Sequence, residues 1–312
     1  MTEKYIPLRV NREFGDIITT YFDFFKQNIK KFTNVFLSYN GIFLIGLLIA
    51  SYLLVSGFIG FIAYENSYSF GGTREELDEK YIIFMVAGGI LFFLIFIMVM
   101  VLNYALASSY MIKYESHQNN DFEKKEVWEY TKNQFGNILV FILLMILIYI
   151  GFGIVSFIFV LIPIVGIFAQ YILQFFIISW LGVSFYDMLQ NKKGVTDSLG
   201  EGWNLVTKNF WKSVGVNFVL GLLLGILMMI ALIIPGVIIG IYTFHIVENN
   251  VDYSTSIVST IIYTLGTCLF LIIAIYGQCL SQFVNGILYY ALHEKTYNVN
   301  TRSKIEQIGK SE

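Results

Sequence analysis

The sequence predicts an all-α integral membrane protein. It has six transmembrane helices in three parallel helix-hairpin repeats, each preceded by an amphipathic interfacial helix on the cytoplasmic side. Three observations predict this. Hydrophobic residues make up 56% of the 312 residues and charged residues only 13%, about half the roughly 25% charged content of a soluble domain. Several stretches run without a charge for the ~20 residues needed to cross a hydrocarbon core of about 30 Å. An aromatic stretch ending in an asparagine elbow leads into such a run in each third of the chain.

Residues 1–13 read as a polar tail containing Pro7, and the chain is expected to have no signal peptide, because Glu3, Arg9, Arg12, Glu13, Asp16 and Asp23 interrupt any apolar core. From Phe14 the apolar residues fall at 14, 17, 18, 21, 22, 25, 29 and 32, a helical stripe. Phe22 and Phe25 with Lys26, Lys30 and Lys31 suit a helix lying at the bilayer surface, rings in the acyl boundary and ammonium groups among the headgroups. A helix that binds a soluble partner has the same pattern. Gly41 to Tyr64 is the first span, about 36 Å long at 1.5 Å per residue. Glu65 to Lys80 is a polar, acidic loop. Tyr81 to Tyr110 is the second span, with Asn103 inside it.

A mixed-charge stretch from Lys113 to Gln134 carries Trp128. Gly136 to Ile162 is the third span, and Pro163 turns the chain into the fourth, Ile164 to Tyr186, which ends at Asp187. A short basic connector, Gln190 to Gly194, leads to the clearest surface helix, with Trp203, Phe210 and Trp211 around the basic elbow of Lys208 and Lys212. The fifth span, Ser213 to Ile234, reaches Pro235. The apolar run 236–247 is too short to span and reads as a kinked continuation, since membrane helices tolerate proline. Ser254 to His293 holds the sixth span, and 294–312 is a polar tail.

Charge placement sets the topology. Of the 20 Lys and Arg residues, all but Arg74 and Lys80 fall on the side that receives both termini under a six-span reading. The positive-inside rule makes that side cytoplasmic. The expected location is the bacterial cytoplasmic (inner) membrane. A seventh span through 236–247 would send the basic C-terminal tail outside.

The repeat is read from ungapped matches. FDFFKQNIKK (22–31) aligns with WNLVTKNFWK (203–212), and Thr131-Lys132-Asn133 repeats Thr207-Lys208-Asn209. Gln170-xxx-Gln174-Phe175 matches Gln278-xxx-Gln282-Phe283. The whole of 1–312 is taken as one membrane domain with repeat units near 14–115, 121–190 and 195–293. Each unit begins and ends in the cytoplasm, so the repeats are parallel.

SLGEGWNLVTKNFWKSV, the following LIIPG, and the helix endings FYDMLQNKKG and LYYALHEKT resemble a known group. It comprises the membrane domain found beside glycerophosphodiester phosphodiesterases and the related YciC-like and DUF975-like multipass proteins. The resemblance covers about half the chain and implies architecture. The phosphodiesterase activity belongs to a fused soluble domain that this sequence does not contain.

Chemistry is sparse. The spans contain no Asp, Glu, Lys or Arg, groups that membranes keep for function when they occur. His117, His245 and His293 lie far apart, and no HExxH, GxSxG or P-loop pattern occurs. Glu115-x-His117 with Asp121 and Glu123, and the acids Glu75, Glu76, Asp78 and Glu79, read as solvated loops rather than metal sites. Cys268 and Cys279 share one helix three turns apart and cannot pair. No catalytic residue, metal or cofactor is expected. The candidate site residues are the intramembrane polar contacts Asn103, Gln170, Gln174, Asn217, Gln278, Gln282 and Asn285. Such groups either hydrogen-bond between helices or line a polar path. Phe22, Phe25, Trp128, Trp203, Phe210 and Trp211 are the expected interfacial anchors. Gly221-xxx-Gly225 and Gly236-xxx-Gly240 permit close helix approach, within the chain or to another subunit.

The sequence therefore favours a non-enzymatic multipass scaffold or subunit of a larger membrane assembly. Its expected partners are the lipid bilayer and other membrane proteins, with no nucleic acid. The alternatives are a transporter or channel component for a polar or amphipathic solute and, third, an enzyme acting on lipid headgroups.

Overall fold

A computed structural model describes residues 5–69, 79–162, 164–249, 256–300 and 302. The acidic residues Glu75, Glu76 and Asp78, the turn residue Pro163 and the tail beyond Arg302 lie outside the described residues. All regular structure among the described residues is helical: α1 (Phe14–Ser69), α2 (Glu79–His117), α3 (Lys124–Asn133), α4 (Phe135–Val160), α5 (Val165–Asn191), α6 (Val195–Lys208), α7 (Phe210–Glu248) and α8 (Ile257–Tyr297). Six of these, all but α3 and α6, are long and apolar enough to cross a membrane.

The elbows differ in kind. At Asn209 the backbone leaves the helix (φ −128, ψ 38), separating α6 from α7. In the middle of the chain the break falls at Gln134 (φ −105, ψ 5), one residue after the expected Asn133. At Asn28 the chain does not break, and α1 continues for 56 residues, about 84 Å. The Asn28 amide donates to the Phe24 carbonyl four residues back and Thr33 does the same to Ile29, so both polar groups are satisfied without leaving the helix. No proline interrupts 14–69. Pro235 likewise sits inside α7, which runs through 236–247 to Glu248 as one helix.

The short helices are capped by different means. α3 opens on a reciprocal capping box between Glu123 and Glu126, which satisfies two orphan amide groups at its first turn. α5 ends at Lys192 in the left-handed conformation (φ 52), and the extended Gly194 admits α6.

The chain divides into two compact units. The first comprises Met1–Phe36, Asn103–Leu224 and Gln278–Glu312, and the second Leu37–Leu102 and Gly225–Gly277. The first unit has a core of buried rings. Phe24 meets Tyr114 at 5.1 Å and Phe283 at 5.3 Å, Phe32 meets Phe283 at 4.7 Å, and Tyr110 meets Phe122 at 5.1 Å between centroids. Such pairs add about 0.5–1.5 kcal/mol each beyond their buried area. The second unit packs α1 on α2 at backbone distance. A Cβ on Gly57 would lie 2.9 Å from the Met85 amide nitrogen and 3.0 Å from the Tyr81 carbonyl oxygen, so only glycine fits there.

Residues 5–13 are not a free tail. Leu8 is fully buried. The Tyr5 hydroxyl and the Leu8 amide both donate to Glu115 Oε2, at 2.6 and 3.2 Å, and the Ile6 amide donates to the Tyr114 hydroxyl at 2.9 Å. Arg9 pairs with Glu115 Oε1 at 3.8 Å. Lys212 donates to the Arg12 carbonyl at 2.8 Å and pairs with Glu13 at 3.1 Å. The segment is a strap over the ends of α2 and α7.

Candidate functional site

Side-chain amides and hydroxyls converge in the first unit from α2, α5, α7 and α8. Gln282 Nε2 donates to Ser108 Oγ at 2.9 Å, and Asn285 Nδ2 donates to Gln282 Oε1 at 3.3 Å. Asn217 Nδ2 then donates to Asn285 Oδ1 at 3.2 Å and to Ser179 Oγ at 2.8 Å. The single Ser179 hydroxyl proton is shared between the carbonyls of Phe175 (2.7 Å) and Ser213 (3.0 Å). Tyr186 closes the seam by donating to the Gln282 carbonyl at 3.1 Å. All these side chains are buried.

The seam requires a glycine. A Cβ on Gly182 would stand 2.2 Å from Asn285 Cγ and Nδ2. Asn285 is held at both ends of its amide, so it has no room to yield. The polar groups are mutually satisfied, which is what a low-dielectric interior demands of any amide it buries.

Of the seven candidates, the structure brings together Asn217, Gln282 and Asn285. Gln170, Gln174 and Gln278 are half-buried and make no side-chain hydrogen bond among the described residues. The Gln170/Gln174 and Gln278/Gln282 motifs therefore play unlike roles, with only Gln282 in the seam. Asn103 is fully buried, and neither of its amide atoms has a hydrogen-bond partner among the described residues. Sequence reasoning missed Ser108, Ser179 and Tyr186. A serine bonding its own helix leaves no mark in hydropathy, and Ser179 does that to Phe175 while also accepting from Asn217.

A second polar centre sits at the end of α5. Asp187 is fully buried. Its Oδ1 accepts from Asn191 Nδ2 at 2.6 Å, and its Oδ2 lies 3.1 Å from Lys193 Nζ. Asn191 also donates to the Tyr289 hydroxyl at 3.1 Å, joining α5 to α8. The strap forms a third. Burial, then the bond to Glu115, pushes the Tyr5 phenol well above its usual range. Burial lowers Arg12, whose guanidinium turns back onto the carbonyls of Pro7, Leu8 and Val10. Among the described residues no group of three or more His, Cys, Asp or Glu could hold a metal, and both cysteines are free.

The aromatic candidates divide by exposure. Trp211 is 73% exposed, and Trp203 and Phe22 are about half exposed. Phe25, Trp128 and Phe210 are half-buried. Trp203 packs edge-to-face with Trp180 (5.1 Å) and Phe176 (5.2 Å), contacts that hold the middle of α6 on α5. Compared with protein-family models, curated proteins and solved structures, the chain matches none.

Proposed function

We propose that this protein is a non-enzymatic multipass scaffold, or subunit of a larger assembly, in a bacterial cytoplasmic membrane with both termini cytoplasmic. The observation that carries the reading is the seam. Its amides and hydroxyls bond to one another and fasten four helices, the use expected of polar groups that hold a bundle together. Three glycines add support. Gly225, Gly236 and Gly240 on α7 have nothing within contact of a Cβ, whereas Gly221 faces Phe175. A helix of another membrane protein can approach such a face closely. The charge distribution supports the orientation, and the exposed Trp203, Trp211 and Phe22 suit a headgroup-level belt. The resemblance to the membrane domain beside glycerophosphodiester phosphodiesterases, and to the YciC-like and DUF975-like proteins, agrees with an architectural role.

The test is purification from native cells in mild detergent after crosslinking. Recovery with defined membrane partners is expected. Recovery only as a free monomer overturns the reading.

A transporter or channel component is the second reading, favoured by the unbonded amides of Gln170, Gln174 and Gln278. Replacing them by leucine abolishes flux in proteoliposomes if they line a path, and unchanged flux removes this alternative. Turnover of labelled phospholipid by the purified protein would instead establish a lipid-headgroup enzyme.

A further inference from the structure

The connection between α4 and α5 is built without a polar side chain. From Phe157 to Ala169 the sequence reads FIFVLIPIVGIFA. The two other connections on that side of a six-span chain, Glu65 to Lys80 and Glu248 to Ser256, are rich in Asn, Ser, Asp and Glu, the composition of solvated loops. Leu161, Ile164, Val165 and Phe168 are 67–70% exposed, so the described chain does not cover them.

The backbone here closes on itself. The Leu161 and Ile162 amides donate to the Ile158 and Phe159 carbonyls at 3.2 and 3.0 Å, and the Gly166 and Phe168 amides donate to the Ile162 and Ile164 carbonyls at 3.0 and 3.3 Å. Position 163 is a proline, which brings no N–H. A Cβ on Gly166 would overlap the Phe159 carbonyl oxygen, so the glycine lets the two helix ends meet. Internal pairing of this kind is what a backbone needs where water cannot supply the partner. Ile164 adds a second sign. Its φ is 61, a region where glycine and asparagine are usual and a β-branched side chain is strained. Asparagine would carry an unbonded amide into hydrocarbon, and isoleucine does not.

The depth of the turn follows from α7. Lys212 pairs with Glu13 at 3.1 Å, and charges stand outside the hydrocarbon, so Ser213 marks its edge. Ser179 Oγ of α5 lies 3.0 Å from the Ser213 carbonyl oxygen, at the same level. Val165 stands fourteen residues before Ser179, about 21 Å along the axis, short of the ~30 Å that would reach the far edge. We propose that the α4–α5 hairpin ends inside the bilayer, with its turn among the acyl chains of the leaflet opposite the Asn209 elbow. The partner is lipid hydrocarbon, which offers no hydrogen bond to side chains and a backbone that ask for none. The hairpin then presents nothing to the aqueous phase on the side where the other two connections emerge.

The test uses the full chain in vesicles of phosphatidylethanolamine and phosphatidylglycerol. Cys268→Ala and Cys279→Ala remove the native thiols, and one nitroxide at a time is attached through Leu161→Cys, Val165→Cys, Ile154→Cys or Asn249→Cys. Power-saturation electron paramagnetic resonance then compares collisions with oxygen, which concentrates in hydrocarbon, and with a neutral nickel chelate, which stays in water. Oxygen collisions are expected to exceed nickel collisions at 161 and 165, as at 154, an exposed site on α4. The order reverses at 249, an exposed site past the end of α7. Nickel collisions at 161 and 165 equal to those at 249 place the turn in water and overturn the proposal. Low collisions with both reagents mean that protein covers the turn, and overturn it equally. Since loss of the fully buried Cys279 can loosen the fold, the same cysteines are also introduced with both buried native thiols kept. They are then reacted with a charged maleimide present on both sides of the membrane. Reaction at 249 with none at 161 and 165 is expected, and reaction at 161 or 165 as fast as at 249 refutes an embedded turn.

Discussion

Removing the two partners of the Asp187–Lys193 pair has unequal effects. Asp187 is fully buried, and Lys193 is 39% exposed. Replacing Asp187 by Asn removes the charge but keeps an oxygen for Asn191, which retains its bond to Tyr289. Lys193 then turns to solvent. A hydrogen bond to a charged group contributes about 1.5–3 kcal/mol, and partial screening at a half-exposed lysine puts the loss near the low end, about 1–2 kcal/mol. Replacing Lys193 by Met does the reverse. It leaves a buried carboxylate with only the Asn191 amide, a situation that costs about 3–5 kcal/mol in other buried pairs. The double variant D187N/K193M removes both charges and is expected to recover most of the loss of K193M alone. The assay is the thermal midpoint of the detergent-solubilised protein, read by loss of the monodisperse peak. The expected order is D187N above the double variant, with K193M lowest. A K193M variant as stable as D187N, or a double variant worse than K193M, would refute a pair that holds the end of α5.

Four further outcomes are expected. Gly182→Ala forces a methyl group into the Asn285 amide and destabilises by about 1–3 kcal/mol, measured by the same thermal midpoint. Asn217→Leu cuts the seam between α7 and α8 and costs about 0.6–1.7 kcal/mol, whereas Gln170→Leu, outside the seam, leaves the midpoint unchanged. Glu115→Gln weakens its bonds to Tyr5 and Leu8 and its pair with Arg9, so limited proteolysis cuts within 5–13 faster while the helices remain intact. The backbone N–H of Glu123, followed by the neighbouring His117 and Lys113, holds the Glu126 carboxyl below its usual range. Protection of the Glu123 amide, which donates to the Glu126 carboxylate at 3.0 Å, is therefore present above the ordinary carboxylate pKa and lost as pH falls through the lowered folded value. Hydrogen-exchange protection factors measure this, and Glu126→Gln removes the pH dependence.

The spans were legible because a charge-free run of 20 or more residues has few alternatives to a long helix. Pro235 shows the strength of that signal: it would stop a helix in water, yet α7 passes through it. The elbows were legible only in part. Asn28 and Asn209 occupy the same place in aligned segments and both side chains donate to the carbonyl four residues back, at 2.9 and 3.0 Å, yet Asn28 stays helical while Asn209 leaves the helix. At the Asn209 break the side-chain oxygen also receives Lys295 at 2.8 Å, a partner supplied by α8. Local sequence does not encode a partner that arrives from another helix. The same limit explains the seam. Three of seven intramembrane amides joined it, and Asn285 could do so only because Gly182, a residue that hydropathy treats as neutral, leaves it room. Residues 1–13 read as a polar tail because their composition is what a solvated end has, while the anchors of 5–13 at Tyr114, Glu115 and Lys212 lie more than 100 residues away.

The strap also bears on the order of assembly. Its first anchor, Glu115, is made early, but the lysine that holds the Arg12 carbonyl comes 200 residues later, and the amide of Asn300, which donates to the Arg9 carbonyl, comes 291 residues after Arg9. During synthesis residues 5–13 emerge long before Lys212 and Asn300, so they cannot be fully seated until both have been made. Their closure requires the fifth span to be in place and the end of α8 to have left the ribosome. A chain truncated before α8, or one whose fifth span has failed to insert, leaves these residues open to proteases, so the state of residues 5–13 reports whether residues 212 and 300 have reached their places.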